Sequence, residues 1–333
     1  MEKRKKANSV DVAKLAGVSQ ASVSRAFSPN GSISAAKKEK ILAAAKQLGY
    51  VPNEMARALI SSYSNCIAIV QPIAHNSQFY SKVLQQLLEL LRTEHQRVVL
   101  FNQDEKGVDE ILPLIDQYQV DGVILASANI DAKLINQYVN RGIEFSFINR
   151  HVPNVYASSI CTNNKKAAKQ LVEHLHNKGH RTFVCFTGSQ AASTAIDRAL
   201  GYQEKIAELG LYDIGVDYDE FSVDSGYKRM RDFIKSGAEM PNAIVCGNDE
   251  IAIGVINAIK EYSDMRIPQD IAITGFDDID SSSWLPYSLT TVKQPIEELC
   301  QLTVSDLLHR IRNSDTAPVN ESLDGIVVTR TST

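Results

Sequence analysis

Residues 11–28 read DVAKLAGVSQASVSRAFS, and the fold of the N-terminal part of the chain depends on this stretch. Apolar residues recur at helical spacing on both sides of Gly17, which supplies a tight turn between two predicted helices. The inward face of the first predicted helix carries Val12, Leu15 and Ala16. Ser19 is the expected N-cap of the second helix, whose inward residues are Val23 and Phe27.

A third helix is predicted for AAKKEKILAAAKQLG at 35–49, with Ser34 as its N-cap and Gly49 as its C-terminal stop. Its apolar residues at helical spacing are Ile41, Leu42, Ala45 and Leu48. Asn8 or Ser9 can cap the first helix. Two helices joined by a short glycine-containing turn are typical of a helix-turn-helix, although a plain three-helix bundle with serine caps fits the same pattern.

In a helix-turn-helix, the second helix enters the major groove of DNA and its N-terminal residues meet the base edges. Gln20 can pair with adenine, Ala21 can contact the thymine methyl group, and Arg25 can bond to guanine. The short hydroxyl side chains suited to phosphate oxygens are Ser19, Ser22 and Ser24.

Charge is distributed unevenly along the chain. Residues 1–60 contain 11 Lys and Arg against four Asp and Glu, a net charge of +7, whereas the whole chain carries −4. The remaining residues therefore carry −11. A small basic head on an acidic body suggests that double-stranded DNA is the partner of the head, although a solvated charged face is the alternative.

The bulk composition is that of an ordinary globular protein. With 333 residues, of which 44% are hydrophobic and 22% charged, we expect two or three domains. No apolar run is long enough for a membrane span, and the basic N-terminus lacks the apolar segment of a secretory signal. The five cysteines form no CxxC pair, so we expect reduced core thiols in a cytoplasmic protein.

Beyond Ser64, short apolar runs alternate with helical segments of ten or more residues. The runs are CIAIV at 66–70, RVVLF at 97–101, GVILA at 122–126, EFSFI at 144–148, FVCFT at 183–187, AIVCG at 243–247 and IAITGF at 271–276. The helical segments are 79–94, 164–178, 195–209, 225–235, 249–262 and 295–312. This alternation predicts an α/β core of doubly wound parallel sheets, and its length favours two similar lobes.

Polar residues follow several of these runs, at the carboxyl ends of strands, where parallel sheets bind their ligands. They are Asn149 and Arg150, Asn248 and Asp249, and Asp277 and Asp278, with Arg198 early in a helix and Phe79 and Tyr80 at the start of another. Such donors and acceptors, with Phe221 as an aromatic plate, suit a sugar. Turn or cap roles for the polar residues, a surface position for Arg198 and a core position for Phe221 remain alternatives.

The chain resembles the LacI/GalR family of bacterial transcription repressors. The matching elements, all in residues 11–57, are Asp11-Val12-Ala13, Ala16-Gly17-Val18-Ser19, Val23-Ser24-Arg25, Gly49-Tyr50, Pro52-Asn53 and Ala56-Arg57. Departures are Ser9, where the family usually has a larger apolar residue, and Gln20. The INR at 148–150 resembles the galactose-repressor and aryl-glucoside-repressor branches.

This resemblance implies a homodimer that binds operator DNA, with no membrane association. Its implied DNA-binding residues are Ser19, Gln20, Ala21, Ser22, Ser24, Arg25, Ser28, Ser34, Tyr50, Asn53, Ala56, Arg57 and Leu59. Leu59 matches the family's minor-groove wedge. The implied domains are a helix-turn-helix head (1–52), a hinge helix and linker (53–63) and a periplasmic-binding-protein-like core (64–333).

Within that core, the resemblance implies a first lobe of about 64–162 and 293–323 and a second of about 163–292 and 324–333. The implied effector-binding residues are Phe79, Asn149, Thr194, Arg198, Phe221, Asn248, Asp277 and Gln294. The segments RALGY, GFDDI and LTTVKQP match the family's effector motifs, whereas SQFY at 77–80 departs from the usual NPFF. A small sugar or glycoside is the implied effector, and a nucleoside or purine is the alternative.

Other classes of function find less support. His174 and His176 in HLHNKGH are two residues apart and face different sides of a helix, so no metal site is expected. The chain lacks GxSxG and HExxH motifs, and FDDIDS at 276–281 has no glycine-rich phosphate loop beside it. We therefore expect no catalytic residues, cofactor or enzymatic activity. A solute-binding protein of a transport system would need a signal peptide and would lack the basic head.

Overall fold

The computed structural model describes most of the chain. The described ranges are 7–27, 31–51, 63–72, 77–103, 110–126, 131–313 and 315–333. The chain divides into two compact units, Met1–Ser64 and Asn65–Thr333. We describe each unit by itself.

The first unit contains three described helices, α1 (Ser9–Ala16), α2 (Gln20–Phe27) and α3 (Ala35–Leu48). Asn8 caps α1: its side-chain oxygen accepts the Val10 amide at 2.8 Å, and the Asp11 carboxylate accepts the Asn8 amide at 2.9 Å. Gly17 ends α1 with φ of +66°, a left-handed conformation that glycine adopts without steric cost. The turn predicted between α1 and α2 is therefore present.

The three helices share a small core around Val12, Val23 and Ile41. Two expectations for this unit are wrong. Leu15 is 47% exposed, because the buried face of α1 centres between Val12 and Ala13, and Leu15 lies about 110° from that centre. Ser34 occupies the N-cap position of α3, but its side chain makes no capping hydrogen bond.

The second unit is built from parallel strands and helices that alternate along the chain. Its described strands are β1 (Cys66–Pro72), β2 (Arg97–Gln103), β3 (Gly122–Leu125), β4 (Glu144–Ile148), β5 (Ser158–Thr162), β6 (Thr182–Thr187), β7 (Tyr212–Tyr218), β8 (Ala243–Cys246), β9 (Ala272–Thr274), β10 (Thr291–Lys293), β11 (Asn320–Leu323) and β12 (Ile326–Val328). Its described helices are α4 (Gln78–Thr93), α5 (Leu112–Gln117), α6 (Ala132–Val139), α7 (Asn164–Asn177), α8 (Ser193–Leu209), α9 (Val223–Lys235), α10 (Asp249–Tyr262), α11 (Ile296–Arg312) and the short 3-10 helix Asp280–Ser283.

Two parallel sheets define two lobes. Lobe 1 has the strand order β11-β5-β4-β3-β1-β2, and lobe 2 has the order β7-β6-β8-β9. Buried apolar side chains of α4, α5, α6 and α11 cover the first sheet, and those of α7 to α10 cover the second. Each sheet therefore has helices on both faces, as expected for parallel strands that are buried on both sides.

The chain passes between the lobes at three points. It leaves lobe 1 after β5 and enters lobe 2 at α7, returns between β10 and α11, and leaves again between β11 and β12. The short strands β10 and β12 pair antiparallel, with Thr291 opposite Val328. Each lobe is therefore assembled from separate stretches of the sequence.

One buried arginine fastens α11 to the sheet of lobe 1. Arg310 is 1% exposed and forms ion pairs with Glu144 and with Asp306, the latter at 3.0 Å. Its guanidinium also donates to the Phe145 carbonyl and the Ser146 hydroxyl, each at 2.8 Å. The charge is thus paired and each of the three guanidinium nitrogens has a hydrogen-bond partner, which offsets the cost of burying an arginine.

The predicted α/β architecture is confirmed, since all seven apolar runs contain strands and the predicted helical segments are helices. The predicted hinge helix lies outside the described residues. Within the described part, no helix combines the length and apolar character that crossing a membrane would require.

Candidate functional site

Helix α2 presents one solvent-exposed face. Gln20, Ala21 and Arg25 are exposed, whereas Val23 and Ala26 are buried against the other helices. The Gln20 amide donates to the Ser9 hydroxyl at 3.0 Å. The exposed residues Ala21, Ser24 and Arg25 share a face because residues three or four apart are neighbours on a helix surface, and Gln20 is a neighbour of Ser24.

The other predicted DNA-contact residues occupy varied positions. Ser19 caps α2 by accepting the Ser22 amide at 3.3 Å, and Ser34 is exposed. Tyr50 is half-buried, with its ring 5.9 Å from that of Phe27. The remaining predicted contacts lie outside the described residues; they are Ser28, Asn53, Ala56, Arg57 and Leu59.

In the second unit, Arg198 is the centre of a buried polar cluster. It projects from α8 and is 5% exposed. Its Nε donates to Asn164 Oδ1 at 2.8 Å, its Nη1 donates to the Gly247 carbonyl at 2.5 Å, and its Nη2 lies 3.6 Å from Asp277 Oδ1. Burial lowers the pKa of Arg198, and the charge of Asp277 opposes that shift. These contacts hold the guanidinium in one orientation.

Asp277 follows β9 and links Arg198 to a segment that crosses between the lobes. It is 8% exposed, and burial raises its pKa to about 6, against the attraction of Arg198 and a hydrogen bond from Gln294. Gln294 Nε2 donates to Asp277 Oδ1, and Gln294 Oε1 accepts the Thr162 hydroxyl, both at 2.6 Å. Thr162 and Gln294 both lie where the chain crosses, so the cluster connects two of the crossing segments.

A second aspartate fixes the loop that carries Asp277. Asp249 is fully buried at the start of α10 and accepts the Thr291 hydroxyl at 2.5 Å and the Ile279 amide at 2.9 Å. Burial raises the pKa of Asp249 well above its ordinary value, and the nearby charge of Asp277 adds to this. Asp249 therefore has a structural role.

Two aromatic rings flank Arg198. The guanidinium carbon lies 3.7 Å from the Phe276 ring centroid and 5.8 Å from that of Phe221. Phe221 also packs directly on Gly188, where an added Cβ would lie 2.1 Å from the ring. The half-buried Phe221 thus contacts the site, and the predicted aromatic plate lies beside the predicted arginine.

Asn149 and Arg150 follow β4 in lobe 1 and are both buried. Asn149 has φ of +54°, and its Oδ1 has no partner among the described residues. Arg150 donates to the Thr194 hydroxyl of lobe 2 at 2.7 Å and to the Tyr80 hydroxyl of lobe 1 at 2.9 Å. The predicted residue Thr194 therefore contacts Arg150, the neighbour of the predicted residue Asn149 in the sequence.

Further contacts join the lobes on both sides of this cluster. The His151 amide donates to the Ser193 hydroxyl at 3.1 Å, and His151 Nδ1 lies 3.6 Å from Asp197. On the other side, Lys82 pairs with Asp280 at 2.7 Å. The polar cluster thus lies between two lobes that touch directly.

Asn248 and Glu250 stand at the start of α10. Asn248 caps that helix by accepting the Ile251 amide at 2.9 Å. Glu250 is hydrogen-bonded to Asn248 and to Ser77 and Gln78 of lobe 1, and its burial raises its pKa to about 7. The predicted site residue Asn248 therefore also has a structural role as the N-cap of α10.

Phe79 is 3% exposed and packs in the apolar core of lobe 1, with its ring 5.4 Å from that of Tyr80. Tyr80 instead contacts Arg150. The residues of the cluster that the sequence did not single out are Thr162, Asn164, Glu250 and Phe276. A signal for Asn164 existed, because it follows SSICT at 158–162, which forms β5.

The arrangement combines buried donors, buried acceptors and an aromatic ring at the ends of strands from both lobes, which suits a small polar ligand. Among the described residues, no group of three or more His, Cys, Asp or Glu side chains could hold a metal ion. A helix-turn-helix unit joined to a two-lobed α/β core defines the class of ligand-responsive DNA-binding proteins.

Comparisons with known proteins identify the family. Residues 10–53 match the model for bacterial regulatory proteins of the lacI family, and residues 172–333 match that for the periplasmic binding protein-like domain. The probable HTH-type transcriptional repressor ExuR of Bacillus subtilis (strain 168) is 30% identical over 315 residues, 92% of each chain.

Two solved structures are also similar. The lac repressor dimer bound to operator and the anti-inducer ONPF is 25% identical with a TM-score of 0.89, over 98% of this chain and 99% of that one. The complex of the transcriptional regulator CelR with cellobiose is 26% identical with a TM-score of 0.74, over 98% of this chain and all of that one. The chain belongs to the lacI family of bacterial regulatory proteins. It is a DNA-binding transcription regulator, so the enzyme and solute-binding alternatives are not favoured.

Proposed function

We propose that this regulator is a repressor of a carbohydrate-utilisation operon, that it binds a pseudo-palindromic operator as a homodimer, and that a small sugar or glycoside releases it. The observation that carries the proposal is the cluster of Arg198, Asp277 and Asn149 between the lobes. Asn149 Oδ1 and Arg150 Nε are buried without partners among the described residues, which is costly, and the hydroxyl groups of a sugar would supply partners for them. The cellobiose complex of the similar CelR supports this class of effector.

The proposed DNA-contact residues are Ser19, Gln20, Ala21, Ser22, Ser24, Arg25, Ser28, Ser34, Tyr50, Asn53, Ala56, Arg57 and Leu59. The proposed effector-binding residues are Phe79, Asn149, Thr194, Arg198, Phe221, Asn248, Asp277 and Gln294. We retain the proposed division into a head at 1–52, a hinge at 53–63 and a core at 64–333. We also propose a cytoplasmic location, where a bacterial regulator meets its operator.

The proposal is tested by screening sugars, glycosides and nucleosides for a rise in the melting temperature of the full chain. A ligand of the native state stabilises it by about 2.7 kcal/mol at a hundred times its dissociation constant. Each compound that binds is then added to the protein–operator complex, and release is followed by fluorescence anisotropy. Stabilisation by nucleosides alone would contradict the sugar assignment.

Arg198→Ala sharpens this test. We expect the variant to bind operator but to respond to effector at least tenfold less, because a charged hydrogen-bond partner of the ligand is lost. Lys228→Ala on the exposed face of α9 is the matched control and should respond normally. A normal response of Arg198→Ala would remove Arg198 from the effector site.

A further inference from the structure

Arg150 differs from the other strongly buried arginines in how its charge is neutralised. Arg150, Arg198 and Arg310 are each at least 94% buried. Arg310 is paired with two carboxylates and Arg198 with Asp277. Within the described part of the chain, Arg150 has no acidic side chain within 4.0 Å, and its partners are two hydroxyl groups.

The hydrogen-bonding capacity around Arg150 is unequal in donors and acceptors. A guanidinium has five N–H donors, and two of its nitrogens here meet Tyr80 and Thr194. Its buried Nε has no acceptor among the described residues. Because Tyr80 and Thr194 both accept from Arg150, their own hydroxyl hydrogens point elsewhere. Donors therefore predominate at this point between the lobes.

The local backbone adds to the positive potential. Thr194 is the second residue of α8, a 17-residue helix whose N-terminus carries a partial positive charge. Asp277, whose pKa the charge of Arg150 lowers, already accepts from Gln294 and pairs with Arg198. A carboxylate or phosphate accepts hydrogen bonds without donating any when ionised, so it complements a group of donors better than a neutral hydroxyl does.

We propose that the effector is an acidic sugar, whose carboxylate or phosphate is bound by Arg150 together with the hydroxyls of Tyr80 and Thr194. This inference rests on the proposed function, since it names the chemical class of the ligand of the same cleft. Asn149 precedes Arg150 in the sequence, and its buried Oδ1 would accept a hydrogen bond from a hydroxyl group of the sugar. Because Tyr80 and Arg150 belong to lobe 1 and Thr194 to lobe 2, the anion would bridge both lobes.

The test compares matched ligands by calorimetry on the full chain. Glucose, galactose and ribose are each measured beside their sugar acids and their sugar phosphates. We expect the acidic member to bind on the order of tenfold to a hundredfold more tightly than its neutral counterpart, which is the range for a hydrogen bond to a charged group. The carboxylate and phosphate series separate the two sources of charge.

Variants assign the preference to Arg150. Arg150→Gln should abolish the ratio between acidic and neutral ligands, and Arg150→Lys should keep a reduced ratio, because lysine retains the charge without the planar fork. Arg266→Gln, which removes an exposed arginine paired with Asp270, is the matched control and should keep the full ratio. Melting temperatures show which variants fold. If Arg150→Gln does not fold, the reduced ratio expected for Arg150→Lys tests the assignment by itself.

Two results would overturn the inference in distinguishable ways. Neutral sugars that bind as tightly as their acids, and release the operator, would contradict the acidic effector and leave the proposed function standing. Absence of binding by every sugar, with operator release by a nucleoside, would overturn the proposed function as well. A preference for acids that survives unchanged in both Arg150 variants would contradict the assignment to Arg150.

Discussion

Asp277 combines an unusual backbone with an unusual ionisation. Its φ is +114°, a region that residues other than glycine rarely adopt, and its amide donates to the Val292 carbonyl at 2.9 Å. Strained conformations of this kind persist when the surroundings hold them. Here the loop is held by Asp249, and the carboxylate is held by Gln294 and Arg198.

The ionisation of Asp277 gives a prediction about pH. Its pKa is about 6 in the folded protein against an ordinary 3.8, so the folded chain binds this proton more tightly than the unfolded chain does. The associated stability is fully present below about pH 4 and is lost as the pH rises through about 6. Asp277→Asn should remove this loss, which is at most about 3 kcal/mol. Urea unfolding of the effector-free protein at several pH values measures it.

Glu250 is the necessary comparison, because burial raises its pKa to about 7 and it acts with the same sign. Glu250→Gln should remove the loss that Glu250 contributes between about pH 4.5 and 7, and should leave the loss that Asp277 contributes between about pH 4 and 6. If Asp277→Asn and the unmodified protein show the same pH dependence, the pKa of Asp277 is not raised as described.

Arg25 gives a second prediction at this scale. Arg25→Ala should cost about 1–3 kcal/mol on the specific operator and relax the preference at one base pair, while non-specific, salt-sensitive binding persists. Selection from random duplexes followed by anisotropy titrations measures both effects. Ser24→Ala is the comparison, since a phosphate contact positions the protein without reading sequence. Equal losses for Arg25→Ala on operator and random DNA would show that Arg25 contacts phosphate only.

The sequence predicted some site residues and missed others for a physical reason. Arg198 and Asp277 were found because each follows a recognisable apolar strand or lies in a recognisable motif. Phe276 ends an apolar run and looks like core, so its contact with the Arg198 guanidinium could not be read from the pattern. The partners of Arg150 come from distant elements, and only the fold brings them together.

At the scale of elements, strands with apolar sequences were predictable, including the edge strands β2 and β9, whereas strands with polar sequences, including the inner strand β5, were not. Strands such as β3 and β8 are buried throughout, so they read as continuous apolar runs. The missed strands include β7 and β11, which lie at sheet edges and are mostly exposed. Their polar residues resemble those of loops, and pairing with an inner strand defines them.

The contact between α7 and α8 depends on a glycine. At Gly201 an added Cβ would lie 2.2 Å from the Lys165 carbonyl oxygen, so the helices must separate to accept a side chain. Gly201→Ala should therefore destabilise the protein by about 1–3 kcal/mol. Urea unfolding measures this. Gln203→Ala, at an exposed position of the same helix, should change stability by no more than about 0.5 kcal/mol. Similar stabilities for the two variants would contradict the close approach.

At the scale of the molecule, DNA binding and effector binding are expected to be coupled. If effector weakens operator binding by some factor, operator must weaken effector binding by the same factor. Calorimetric titration of effector into free protein and into the protein–operator complex measures both. Such couplings are typically about 5-fold to 150-fold. Equal effector affinities in the two titrations would contradict release by effector.

Neither lobe is a single continuous piece of polypeptide, and this affects the order in which they can be completed during synthesis. The four strands of the lobe 2 sheet lie between residues 182 and 274, whereas lobe 1 needs α11 and β11, which end at residue 323. Until those elements leave the ribosome, the apolar residues of α4 that pack with α11 lack their cover. Lobe 1 is therefore begun first and completed last. The apolar surface of α4, exposed until α11 is synthesised, is the surface that chaperones would have to shield.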